Sequence, residues 1–309
     1  MTKLKLLGKY KNGNYIVTML NDGTKIRETE DNDFHPEFPE CIDVCISRKC
    51  NAGCSFCYEG CSPEGKEAIF FDHEGKVLQP WIETLKPYTE VALNVNSVLN
   101  DQLLELLFYL RSKKVIANIT VHQKEFMLHY DIIKLMSEKN FVKGIGISLH
   151  DPSDDEFFKA ADKIPNVVIH TITGLLDEHA IERLMHYQCK VLILGYKIVG
   201  KGIDYYDRNR IGIEVKQKQL KELLPGMIRR CKVVSFDNLA IDQLNVKDTL
   251  FKDRSDWDEF YMGDDGEFTF YIDAVNQTYS KNSLVSKSVQ FPLLESVIDM
   301  FKTFTNESI

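Results

Sequence analysis

The chain has 309 residues, 38 Lys and Arg against 46 Asp and Glu, and a formal net charge of −8. A hydrophobic fraction of 44% is ample for a packed core and excludes disorder as the main state. No run approaches the roughly 20 apolar residues a bilayer demands, so no membrane partner is expected. The acidic balance disfavours nucleic acid as a partner without excluding it, because Lys113-Lys114, Lys216, Lys218, Lys221 and Arg229-Arg230 make local basic spots. The N-terminal apolar stretch is too short for a secretory signal, so a cytoplasmic chain with reduced thiols is expected.

From the N-terminus, residues 4–10 and 15–20 flank Asn12-Gly13, a short-hairpin signal, and Asn21-Asp22-Gly23 leads into a third run, giving a small β-meander. A polar stretch to Pro39 reads as a linker. From residue 40, β-branched apolar runs at 42–47, 91–95, 115–121, 143–149, 167–172, 191–198 and 233–236 alternate with helical stretches. Asp101 is placed to N-cap a helix carrying Leu103, Leu106, Leu107 and Leu110, and Asp177-Glu178 put acids at the start of one carrying Ile181, Leu184 and Met185. Repeated βα units predict a parallel sheet with right-handed crossovers. The last quarter breaks the rhythm. Phe260-Tyr261-Met262, a turn at residues 263–266 and the run 268–272 predict a β-hairpin, followed by an amphipathic helix around 293–304. Three parts follow: a meander and linker over 1–39, the βα section over 40–240, and a hairpin-and-helix extension over 241–309.

Six of the eight cysteines lie within the 21 residues from Cys41 to Cys61. Cys50-Asn51-Ala52-Gly53-Cys54-Ser55-Phe56-Cys57 follows the first strand of the βα series with C-x3-C-x2-C spacing. Three thiolates in such a loop can converge on one metal cluster and leave one iron of a cubane without a protein ligand. Zinc stays open as well: Cys54 and Cys57 form one C-x2-C pair, and Cys45, Cys50 or Cys61 could complete four sulfurs. Cys41 and Cys45 share one face of their strand and read as small buried hydrophobes, and Cys61 is the best candidate for a further thiol near the site.

This octapeptide resembles the signature of the radical S-adenosylmethionine (SAM) superfamily, C-x3-C-x-aromatic-C, with Phe56 as the aromatic residue. The flank Tyr58-Glu59-Gly60-Cys61-Ser62-Pro63-Glu64-Gly65-Lys66 is similar to uncharacterised, partly phage-encoded members. The resemblance implies an α/β fold, a partial open (βα)6 TIM-like barrel with the meander and the hairpin as extensions. It implies that Cys50, Cys54 and Cys57 bind a [4Fe-4S] cluster whose fourth iron takes the amino and carboxylate groups of SAM. One-electron reduction, from a flavodoxin- or ferredoxin-like donor, would then split SAM to a 5′-deoxyadenosyl radical that takes hydrogen from a peptide, a nucleoside or a small metabolite.

Cofactor contacts carry over position by position. Phe56 would pack near the adenine. The family's G-x-I-x-G-x-x-E around the fifth strand is matched by Ile172 and Gly174, with Asp177 as the acid and His170 in place of the first glycine. Ser148 and His150 fall where the ribose is held, and Lys197 ends the sixth strand. Where the family carries G-G-E/D after the second strand, this chain has Asn94-Val95-Asn96, so neutral amide oxygens are left to accept from the SAM ammonium. No catalytic side chain is singled out. A protein of another class, a zinc- or iron–sulfur-bearing binding or scaffold protein that does not cleave SAM, also fits the cysteines.

Overall fold

In the computed structural model, which describes residues 4–31, 33–251, 254–284 and 288–305, three strands form the expected meander: β1 (Leu6–Asn12), β2 (Tyr15–Leu20) and β3 (Lys25–Glu28). Gly13 makes its tight turn at φ 61°, where a Cβ would also strike the His35 carbonyl. The inner face of β2, Tyr15, Val17 and Met19, packs against Ile116 and Phe268 at the start of the larger sheet. The stretch read as a linker is tied down, since the Asn12 side-chain Oδ1 accepts from Glu37 N at 2.9 Å and Phe38 N at 3.2 Å.

Every strand run expected between residues 40 and 236 is found: β4 (Cys41–Cys45), β5 (Glu90–Asn94), β6 (Ile116–His122), β7 (Gly144–Ser148), β8 (Val167–Ile172), β9 (Lys190–Leu194) and β10 (Val233–Phe236). They pair in parallel and in chain order. Alternate residues such as Val91, Leu93, Ile145, Ile147, Val191 and Ile193 are buried in the main core. The helices between and after them are α1 (Leu103–Ser112), α2 (Gln123–Leu128), α3 (Tyr130–Glu138), α4 (Asp155–Ala161), α5 (Glu178–His186), α6 (Lys201–Arg230), α7 (Asn238–Leu244), α8 (Val246–Leu250), α9 (Arg254–Phe260) and α10 (Val297–Thr305).

The C-terminal quarter corrects the sequence reading. Phe260 ends helix α9 rather than opening a strand, because Trp257, Phe260 and Phe251 stack on one another and Tyr261 N continues the helical pattern to Trp257 O at 2.8 Å. The expected second hairpin strand exists as β11 (Thr269–Asp273), but it pairs in parallel with β4 and extends the main sheet. Its antiparallel partner is the following β12 (Thr278–Ser280), and β13 (Phe291–Pro292) completes a ten-stranded sheet. Asp101 is not the cap of α1: Gln102 occupies that position without a side-chain cap, and Asn100 Oδ1 accepts from Gln102 N at 2.9 Å.

The sheet is not a closed barrel. Because β12 occupies the outer edge of β11, β10 has no strand to pair with beyond β9. Side chains from the two flanks of the parallel run meet instead. Asn238 donates to Asp265 Oδ1 at 2.9 Å and Lys197 donates to Ser283 Oγ at 2.6 Å, while Asn282, on the same flank as Asp265, holds its Oδ2 at 2.7 Å. One cavity of about 850 Å³ therefore receives residues from both flanks, among them Asp43, Asp237 and Asp265.

Candidate functional site

The cysteine loop leaves the end of β4 and is pinned on three sides. Its ends are laced together by Cys50 N to Ser62 O at 2.8 Å, Ser62 N to Arg48 O at 3.0 Å and Ala68 N to Ile46 O at 2.9 Å. Beneath it the Arg48 guanidinium bridges two buried carboxylates, Glu59 at 2.8 Å and Asp273 at 2.5 Å, and Tyr271 donates to Glu59 at 3.0 Å. Asp273 and Tyr271 lie on β11, so the strand missed as a member of the main sheet is the one that braces the loop. On the third side the first turn of α6 abuts it: Lys201 N donates to Cys57 O at 3.1 Å, and a Cβ at Gly200, φ 55°, would collide with the Tyr58 carbonyl.

Cys50, Cys54 and Cys57 all line the cavity. The neighbouring Cys61 thiol, with backbone N–H groups of Cys61 and Glu59, draws the Cys57 thiol below its ordinary value against the cost of burial. Burial raises Cys54, and the neighbouring Cys57 and Cys50 add to the rise. Among the described residues no three His, Cys, Asp or Glu side chains are gathered closely enough to hold a single metal ion. Thiolates that each take a different iron of a cluster stand further apart than thiolates around one ion. Three thiols lining one cavity, with the Cys57 thiol drawn below its ordinary value, supply the donor set of such a cluster.

The remaining expected residues divide. Phe56, Asn94, Asn96, Ser148, His150, Ile172 and Lys197 line the cavity, and the Phe56 ring meets Tyr205 edge-on at 5.8 Å. Gly174 does not line it; at φ 77° it lies against Ile213 of α6, where its missing side chain makes room for the helix. The two asparagines have protein work of their own. Asn94 accepts from Ile46 N at 2.7 Å, and Asn96 donates to Ser47 O at 2.7 Å and to Cys61 Sγ at 3.7 Å, strapping the start of the cysteine loop to β5. The Asn94 oxygen is thus taken, whereas the Asn96 oxygen accepts nothing from the described residues.

The far wall carries three imidazoles. His122 and His150 have ring centroids 4.9 Å apart, and His122 Nδ1 accepts from Lys124 N at 3.1 Å. Burial, then His150 and Lys124, bring His122 down to about 4, and burial alone brings His170 to about 4, so both are neutral near pH 7. His170 lies across Gly146, where any Cβ would strike its ring. Asp177, read as the motif acid, caps α5 by accepting from Ala180 N at 2.8 Å.

Asp43 is a cavity residue that the sequence reading did not single out. Asp43 sits between Cys41 and Cys45 on β4 and faces the cavity. Its signal was a lone charge inside an apolar strand. The side chain is exposed to the cavity, but desolvation by the protein packed around it pushes its carboxyl up to about 6; Lys197 opposes the rise, and Asp265 and Asp237 add to it.

No protein-family model and no curated protein match the chain. Its fold is similar to that of anSMEcpe with bound AdoMet, at 12% sequence identity and a TM-score of 0.50, over 86% of this chain and 80% of that one. It is equally similar to anSMEcpe with bound AdoMet and Cp18Cys peptide, at 13% identity and a TM-score of 0.51, over the same shares of each chain. At these identities the likeness is one of fold.

Proposed function

We propose that the chain is a radical SAM enzyme: a partial, open barrel whose cysteine loop holds a [4Fe-4S] cluster at the mouth of the cavity. One observation carries the reading. A C-x3-C-x2-C loop follows the first strand of a parallel run, and its three thiols open onto a cavity that the run itself encloses. The fold likeness to anSMEcpe, a radical SAM enzyme with bound AdoMet, supports it.

Cys50, Cys54 and Cys57 would hold the cluster, which once reduced by one electron from an external donor would supply the electron that splits SAM into methionine and a 5′-deoxyadenosyl radical. The chain's own residues set the surroundings. Arg48, Glu59 and Asp273 hold the loop in place, and Gly200 and Lys201 press α6 against it. Phe56, Ser148, His150, Ile172 and Lys197 present apolar and hydrogen-bonding surface for the nucleoside and methionine parts, with Gly174 shaping that wall from behind. In place of a carboxylate, the Asn96 oxygen is the acceptor on offer for the SAM ammonium. His122 and His170, both neutral, add no charge that would repel the sulfonium. The anSMEcpe complex with Cp18Cys peptide supports a peptide as substrate over a nucleoside or a small metabolite.

The test is anaerobic reconstitution with iron and sulfide, followed by SAM and dithionite. Release of 5′-deoxyadenosine is the expected result. A colourless protein that carries stoichiometric zinc and releases none would overturn it in favour of the binding or scaffold reading.

A further inference from the structure

Asp43 has no place in holding the cysteine loop, yet it is the most conspicuous charge in the cavity. The other lining carboxylates are engaged by the protein. Glu59 is paired with Arg48, and Asp177 caps α5. Asp237 accepts from Gly195 N at 2.8 Å and Ala240 N at 2.7 Å, and both oxygens of Asp265 are taken by Asn238 and Asn282. Asp43, exposed to the cavity, makes neither a hydrogen bond nor an ion pair with any described side chain. Among the described residues it is the lining carboxylate left free to meet a ligand, and the protein around the cavity holds its carboxyl above the ordinary carboxylate range.

The nearest cation is held elsewhere. Lys197 donates to Ser283 at 2.6 Å and lies 4.1 Å above the Tyr58 ring, outside ion-pair reach of Asp43. The positions paired with Asp43 on the neighbouring strands are Ala92 of β5, a small side chain, and Tyr271 of β11, with Asn118 of β6 next beyond Ala92. The charged groups that act on it from the packed elements are Lys197 after β9, Asp237 after β10 and Asp265 before β11, a net negative set.

We propose that Asp43 receives a cationic group of the substrate, an ammonium or a guanidinium, and so fixes which carbon of the substrate is presented at the cysteine end of the cavity. This rests on the cavity being the reaction chamber, but its test does not require cleavage chemistry. The probe is n-butylammonium, with n-butyrate as the opposite charge, titrated into the full-length reconstituted protein without SAM or reductant and followed by ligand-observed NMR. Butylammonium should bind at about pH 8 and weaken about tenfold near pH 5, where the carboxyl is protonated. Asp43→Asn should remove both the tight binding and its pH dependence, and Asp43→Glu should restore part of each. Should Asp43→Asn not fold, the pH series on the native chain decides alone. Butylammonium binding that is indifferent to pH and to Asp43→Asn, preference for butyrate, or binding of neither ion overturns the proposal.

Discussion

Glu40 and Asp43 lie three residues apart at the head of the same strand, and the protein treats them in opposite ways. Glu40 is 1% exposed and saturated: Tyr15 donates to it at 2.7 Å, Arg27 reaches both oxygens at 2.8 and 3.2 Å, and Lys25 lies at 3.8 Å. Lys25 bridges on to Glu90 at 2.7 Å, and Arg27 covers the Phe268 ring at 3.6 Å. This junction bolts the meander onto the strand starts. Asp43 faces the other way and has no such partner. Glu40 is buried and fully bonded and holds the fold together, whereas Asp43 is open to the cavity and unbonded, which leaves it free for the ligand proposed above.

The contrast can be broken by experiment, starting with the cysteine loop that lies at the other end of the strand. Cys54→Ala should lose essentially all cluster iron on anaerobic reconstitution, while Cys189→Ala, far along the chain in a strand-leading position, should load like the native protein. Equal iron in both variants would remove the role assigned to the motif. Next in size, Glu40→Gln should cost about 3–5 kcal/mol in urea unfolding, since it leaves Arg27 and Lys25 beside a neutral group. A loss within the range of surface substitutions would mean that the junction is not the bolt described. Arg48→Ala should cost about 3 kcal/mol by leaving Glu59 and Asp273 buried and unpaired, and it should speed iron loss from the loaded protein. Unchanged iron retention would detach the brace from the site.

The smallest effect is the most telling for the comparison. Asp43→Asn should stabilise the protein by about 1 kcal/mol at neutral pH, a figure reduced for the water that reaches the cavity. The sign follows from the carboxyl being higher in the folded state, about 6, than its ordinary 3.8. The folded state keeps the proton longer, so the penalty is absent below the ordinary value and grows as pH rises through the window to about 6. Asp43→Asn should flatten that part of the stability–pH curve, and a destabilised variant would show that Asp43 has a protein partner after all.

The seven parallel strands were legible because strands that pack against helices are written as β-branched runs, such as Val191 to Leu194, separated by helix-length intervals. The meander was legible from two turn signals, Asn12-Gly13 and Asn21-Asp22-Gly23. The eighth parallel strand was not. Local signals at residues 263–266 suggested a hairpin with the residues before it, whereas its true partner is β4, more than two hundred positions earlier, a pairing that no local pattern encodes. The same distance hid the Arg48–Asp273 brace. The cysteine spacing could be read directly, but the use of the Asn94 oxygen by Ile46 and the position of Gly174 against α6 depend on packing between segments. Asp43 was visible as a charge in an apolar strand; its lack of a partner became visible only when both flanks of the sheet were in view.

The central claim is that the three thiols hold a cluster with one iron open to SAM. Electron paramagnetic resonance of the reconstituted, dithionite-reduced protein, recorded with and without SAM, tests it most directly. A reduced [4Fe-4S] signal whose shape changes when SAM is added is the predicted result. A signal indifferent to SAM, or none from protein that has taken up iron and sulfide, would contradict it.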